Sequence, residues 1–95
     1  MSSKILVFTA KWCVPCTTQK PIIHRVAKEY DDVCLEIHDI DESVGMRTAA
    51  DYNIRSVPTF VVIDKDGIEV ERTFGAQTEA QIDSIFNHLS NEEQK

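Results

Sequence analysis

No apolar stretch in this chain approaches the roughly 18 residues that suggest a membrane-spanning helix, so no span is expected anywhere in it. Positive charge is also in short supply. Ten Lys and Arg stand against 16 Asp and Glu, for a formal net charge of −6. Binding to phosphate backbones needs a positive field, so an acidic domain excludes non-specific nucleic-acid binding as its business. The N-terminal apolar stretch Ile5-Leu6-Val7-Phe8 is only 4 residues long, short of the roughly 7–15 of a secretory signal core. It reads as a buried strand, and the expected location is cytoplasmic. Repeats and low-complexity linkers are absent. So is an even cysteine count: 3 cysteines make a poor secreted disulfide scaffold. In a reducing compartment, a close pair plus one single cysteine suggests redox or metal chemistry for the pair.

What is present suits one small α/β domain. The 95 residues are 42% hydrophobic, enough for a core and too many for a disordered chain. The expected domain is 1–95, with a core over about 4–89 and a polar tail from 90 to 95. Residues 4–9 carry Val, Ile and Phe as in a central strand covered on both faces. After the loop Ala10-Lys11-Trp12 comes Cys13-Val14-Pro15-Cys16, where Pro15 suits a first helical turn. Ile22, Ile23, Val26, Ala27 and Tyr30 then recur at helical spacing, and Pro21 inside that helix is expected to kink it. Val33–Ile40 reads as a second strand. Ser43 is a suitable N-cap for a short helix bearing Val44, Met46, Ala49 and Ala50, and Asn53 can close it in a left-handed conformation. Thr59–Ile63 is a third strand, followed by the turn Asp64-Lys65-Asp66-Gly67. Ile68, Val70, Arg72 and Phe74 alternate with Glu69, Glu71 and Thr73, as in an antiparallel strand with one wet face. Thr78 and Gln81 form a capping box for a last helix with Ile82, Ile85, Phe86 and Leu89 on one stripe. The order is βαβαββα. Its first unit gives two parallel strands, and the final hairpin adds two more.

The cysteine pair carries the chemistry. Cys13 and Cys16 stand about one helical turn apart, so their sulfurs can meet. A disulfide there closes so small a loop that it restrains little of the unfolded chain, which argues against a structural staple. Cys13 falls at or just before the first turn, where free N–H groups and the helix dipole favour an anion. A free thiol ionises near pH ~8.5, and such a placement lowers that by one to several units. Cys13 is therefore the expected nucleophile and Cys16, a turn deeper, the resolving thiol. Lys11 reads as a solvated lysine that adds at most a small favourable charge. Zinc needs four ligands. Beyond the pair only Cys34, His24, His38 and His88 are available, with no second CxxC and no H-x₃₋₅-H pair, so no metal and no cofactor is expected.

Trp12-Cys13-Val14-Pro15-Cys16, Pro21, Val57-Pro58-Thr59 and Gly75-Ala76 together resemble the thioredoxin family, over about Ile5 to Leu89. Thioredoxins are themselves a standing illustration of the lowered thiol pKa. The resemblance implies a cis bond before Pro58. It also implies a loop facing the cysteines, in which the Val57 backbone pairs with an extended substrate segment. Trp12, Val57, Pro58 and Gly75 then form the substrate-binding surface. Against the family pattern the chain begins directly with the strand leading to the cysteines, so four strands are expected in a mixed sheet of order 2-1-3-4, flanked by three helices. Val14 stands where glycine is commoner, and Thr9 replaces a common tryptophan. Val7 occupies the place of a buried aspartate whose lysine neighbour corresponds to Ile37. Loss of both charges together is what a buried pair requires. Proton transfer at Cys16 is then expected to use water or another group. His38 is a candidate, against the alternative of a strand histidine facing solvent.

The other polar residues read more plainly. Cys34 on the second strand is taken as a small buried residue, with an exposed regulatory thiol as the alternative. His24 and His88 read as surface groups, Asp39 and Asp41 as turn and cap residues. The resemblance implies a monomeric protein-disulfide reductase that takes electrons from a thioredoxin reductase or a small thiol and engages neither nucleic acid nor membrane. A glutathione-dependent, glutaredoxin-like reductase and a non-catalytic docking module on the same fold are the alternatives. Trp12, the lack of a Gly-Gly pair near residue 75 and the intact CxxC argue against them.

Overall fold

Seven elements follow one another along the chain, in the order the sequence pattern predicts: β1 (Ser3–Thr9), α1 (Val14–Ala27), β2 (Val33–Asp39), α2 (Ser43–Asp51), β3 (Thr59–Ile63), β4 (Glu69–Phe74) and α3 (Glu79–Glu93). The computed structural model describes residues 3–93, with side chains through Ser90. Met1, Ser2 and the last residues of the expected polar tail lie outside that range. The strands form one 4-stranded sheet of order β2-β1-β3-β4. β1 runs parallel to β2 and antiparallel to β3, and β3 is antiparallel to β4. This is the mixed sheet of order 2-1-3-4 with three helices that was expected.

β1 is central, and its side chains alternate between two packed faces. Ile5 and Val7 join Ile23, Val26, Phe60, Val62, Ile82, Phe86 and Leu89 from α1, β3 and α3. Leu6 and Phe8 point the other way, toward Ala49, Val61 and Ile63. That explains why β1 is an unbroken apolar run: both its faces are covered. The charged pair expected from the family pattern has no counterpart here. Val7 and Ile37 stand opposite each other in the β1–β2 register, and Val7 is fully buried.

The α2 side departs from expectation in three ways. First, the N-cap is Glu42, not Ser43, and its side chain makes no capping bond. A turn in which the Glu42 N–H donates to Asp39 O starts the helix one residue early. Second, the buried positions of α2 are Gly45 and Ala49, while Val44 and Met46 are 71% and 58% exposed. The helix lies so close to β2 that a Cβ on Gly45 would overlap the Asp39 carbonyl oxygen. Close approach selects small side chains over the apolar ones. Third, the side of β4 that the alternation marks as apolar is wet: Val70 and Phe74, with Ile68 just before the strand, are exposed. β4 is the far edge strand, and α2 packs against β2 at the opposite edge. Arg72 spans the gap, donating from Nη1 to the Tyr52 carbonyl at 2.8 Å.

Other local expectations hold. Asn53 has φ 57°. Thr78 and Gln81 exchange the two bonds of a capping box, at 2.8 and 3.1 Å. α1 continues through Pro21. Ser90, placed in the expected tail, is instead buried and donates to Asp32 Oδ2 at 2.7 Å, because α3 runs on past Leu89.

Candidate active site

The site forms where β1 ends and α1 begins. The Cys13 N–H donates to Ala10 O at 3.1 Å, closing the turn that lifts the chain off the sheet. Cys13 is then the N-cap of α1, with extended backbone (φ −90°, ψ 105°) and proline in the first turn. Its sulfur takes the place that an oxygen holds in an ordinary cap: the Cys16 N–H donates to Cys13 Sγ at 3.3 Å. A negative charge on that sulfur is favoured by this donor and by the helix dipole. The two cysteines are joined in a disulfide, with Cα atoms 5.3 Å apart. Cys16 is fully buried and Cys13 5% exposed. Ala10, Ile40 and Val57 pack around the sulfurs.

The chain from Ser56 to Thr59 forms the opposite wall. The Val57–Pro58 peptide bond is cis, and the Val57 carbonyl oxygen lies 3.7 Å from Cys13 Sγ. Pro58 O accepts from the Gly75 N–H at 2.8 Å, so the loop after β4 is tied to the same wall. Gly75 has φ +82°, a conformation that other residues adopt only with strain. The structure therefore brings Cys13, Cys16, Val57, Pro58 and Gly75 together. Trp12 flanks them and is 67% exposed, so it serves no core-packing role.

Other sequence candidates lie elsewhere. His38 stacks on Phe8, with ring centroids 5.5 Å apart, and its Nε2 meets Glu36 Oε1 at 3.0 Å. It shares the α2 face of the sheet with Phe8 and is 16% exposed, so it is not the solvent-facing histidine that was expected. Cys34 is a free, exposed thiol, which corrects its reading as a buried residue. It lies near the start of the edge strand β2, opposite Lys4, whereas α2 packs at the other end, against Asp39. Lys11, His24 and His88 are exposed. Asp39 accepts from the Asp41 N–H at 2.9 Å, as a turn residue does. Among the described residues no group of three or more His, Cys, Asp or Glu is placed to hold a metal.

A thioredoxin family model matches residues 1–88. The chain belongs to the thioredoxin family. It is 41% identical to thioredoxin H2 of Arabidopsis thaliana over 78 residues, covering 80% of this chain and 56% of that one. It is 39% identical to the H-type 1 thioredoxin of Nicotiana tabacum over 86 residues, covering 90% and 66%. This chain thus spans a little over half to two thirds of the length of these relatives. Among solved structures, the thioredoxin of Fasciola hepatica superposes with a TM-score of 0.82 at 34% identity, covering 93% of this chain and 81% of that one.

One residue of this thioredoxin-family site escaped the sequence reading. Gln19, one turn after Cys16, is 4% exposed and bonds the backbone of Gln77 on the loop after β4. A polar residue three positions from Cys16 and four from Ile23, on the stripe that α1 buries, was the available signal.

Proposed function

We propose that this protein is a thiol–disulfide oxidoreductase that reduces protein disulfides through Cys13 and Cys16. The observation that carries the reading is Cys13 Sγ at the N-cap of α1. There it accepts a backbone N–H and is joined to the buried Cys16, three positions on, in a disulfide. In the reduced protein, the Cys13 thiolate attacks one sulfur of a substrate disulfide. A mixed disulfide forms, and the other substrate sulfur leaves as a thiolate that takes up a proton. Cys16, deprotonated, then attacks Cys13 Sγ. The Cys13–Cys16 disulfide forms and the second substrate sulfur departs, so two electrons pass from the dithiol to the substrate. A thioredoxin reductase or a small thiol returns them.

The substrate surface is Trp12, Val57, Pro58 and Gly75. The Val57 backbone, beside the sulfur, pairs with an extended polypeptide segment, a contact that recognises main chain rather than sequence. Val7 and Ile37 are both apolar, and His38 is engaged by Phe8 and Glu36, so water serves the proton transfers at Cys16. The reading extends to a single domain with its core over 4–89, acting as a monomer in the cytoplasm. Glu69, Glu71 and Arg72 along the exposed edge strand oppose edge-to-edge association. A thiol left free at Cys34 suits a reducing compartment.

Insulin reduction with dithiothreitol tests the proposal. Wild type is expected to accelerate it. Cys13→Ser should abolish the acceleration, and Cys16→Ser should trap mixed disulfides with its substrates. Full activity in Cys13→Ser overturns the reading.

A further inference from the structure

Between β4 and α3 the chain crosses from Gly75 to Thr78 beside the disulfide, and its backbone needs partners that no sheet or helix supplies. Gly75 N–H finds Pro58 O, and Thr78 N–H finds the Gln81 side chain. Gln77 lies between them, and both its main-chain groups go to one side chain. Gln19 Nε2 donates to Gln77 O at 2.8 Å, and the Gln77 N–H donates to Gln19 Oε1 at 2.7 Å. A primary amide offers a donor and an acceptor side by side, so it matches a peptide edge in a way no apolar side chain can. The Gln77 side chain adds weaker bonds to Phe74 O and Gly75 O, at 3.3 and 3.1 Å, folding the loop on itself.

These bonds, closed by a contact between Val57 O and the proton-less disulfide sulfur of Cys13, complete a ring through the site. Gln19 sits one turn beyond Cys16 on the buried stripe of α1. From Gln19 the ring passes to Gln77, back to Gly75, across to Pro58 O, and from Val57 O to Cys13 Sγ. The position of Gly75 relative to the nucleophile is thus set from two sides, by the Pro58 wall and by Gln19.

We propose that Gln19 is a positioning residue that holds the Gly75–Gln77 loop against the cysteine helix, and so sets how well the site receives polypeptide disulfides as opposed to small ones. This rests on the dithiol-exchange reading above. A polypeptide must lie across both Val57 and the loop, whereas a small disulfide needs only access to Cys13 Sγ. Gln19 touches neither the substrate nor a reacting atom, and it acts through the backbone of Gln77.

The test is Gln19→Leu, which fills similar space and leaves both Gln77 groups without their partners. KM for insulin is expected to rise about tenfold, with kcat and the reduction of a small aromatic disulfide, dithionitrobenzoate, within about twofold of wild type. Rates for both substrates falling together, or neither moving, overturns the proposal. Amide hydrogen exchange in the wild type gives a second measurement that needs no variant to fold. The Gln77 N–H should be protected to the level of β4, and exchange at the rate of an open loop overturns the clamp. The small disulfide separates the two readings: a wild type that reduces neither substrate overturns the function as well, whereas intact wild-type activity with an unmoved Gln19→Leu overturns the clamp alone.

Discussion

The two ends of the β1–β2 ladder are built on opposite principles. Near its start, on the face that bears Leu6 and Phe8, Lys4 stands opposite Cys34 and the surroundings are wet, while Ser3 and Val33 beside them are buried on the other face. Lys4 Nζ reaches Glu36 at 3.3 Å with both side chains more than a third exposed, and the Cys34 thiol is free. At its far end Thr9 stands opposite Asp39, and the surroundings are dry and close-packed. Thr9 is fully buried, Gly45 presses on the Asp39 carbonyl, and the disulfide sits under Ala10, Ile40 and Val57. The same two strands thus carry one cysteine where nothing orients it and deliver the chain to another where a helix terminus and a wall of backbone do. A thiol becomes a reactive centre through what surrounds it, and exposure alone is insufficient.

The largest effect that tests this contrast is steric. Gly45→Ala, at the dry end, forces a methyl into the Asp39 carbonyl and should destabilise the fold by about 3 kcal/mol or more, measured by urea unfolding. Gly67→Ala is the matching change beside Lys4 and Cys34. It meets no atom within 4 Å and bears only the strain of φ +83°, about 1–2 kcal/mol. Equal losses would break the comparison.

Next comes reactivity. In the reduced protein at neutral pH, iodoacetamide should modify Cys13 at least about tenfold faster than Cys34, read by mass spectrometry of the digest. Cys34 is the more exposed of the two, so faster modification of Cys34 would show that access outweighs ionisation here.

A smaller effect concerns the Thr9 hydroxyl, buried with no hydrogen-bond partner among the described residues. Thr9→Val removes a desolvated group that gains nothing in return, and should stabilise the protein by about 1 kcal/mol. Thermal unfolding should shift upward by roughly 4–8 °C. A downward shift would mean that the hydroxyl is satisfied after all.

The smallest effect lies at the wet end. Burial pushes the Glu36 carboxyl up, but hydrogen bonds from His38 and Lys4 outweigh it and hold its pKa below the ordinary 4.5. A lowered folded-state pKa contributes stability that is present above pH 4.5 and is lost as pH falls through the carboxylate range. The groups are partly exposed, so the size is at most about 0.5 kcal/mol. Glu36→Gln should be less stable than wild type by that amount at pH 7 and match it near pH 3. A gap that persists at pH 3 would assign the effect to packing.

Much of this was legible in the residues because it depends on local pattern. β1 declared itself by an apolar run, α3 by its stripe and capping box, the left-handed close of α2 by Asn53. The CxxC at a strand-to-helix junction pointed to Cys13 as a cap. What failed depended on neighbours distant in sequence. Cys34 was read as buried because strand cysteines usually are, but β2 is an edge and α2 stops short of its start. Val44 and Met46 looked like a core stripe, yet the approach of α2 to Asp39 admits only Gly45 and Ala49. β4 looked half-buried, but the sheet order places it beyond the reach of α2.

Within the site the division is the same. The residue sequence by itself determined which sulfurs can pair, since a two-residue spacing on a helix start brings them within reach in any fold that forms the helix. Only the tertiary structure decided what faces them. Val57, Pro58, Gly75 and Gln77 approach the cysteines from 41 to 61 positions along the chain from Cys16, through strand order and backbone hydrogen bonds. Backbone groups are chemically alike at every residue, so no local pattern marks which of them will meet.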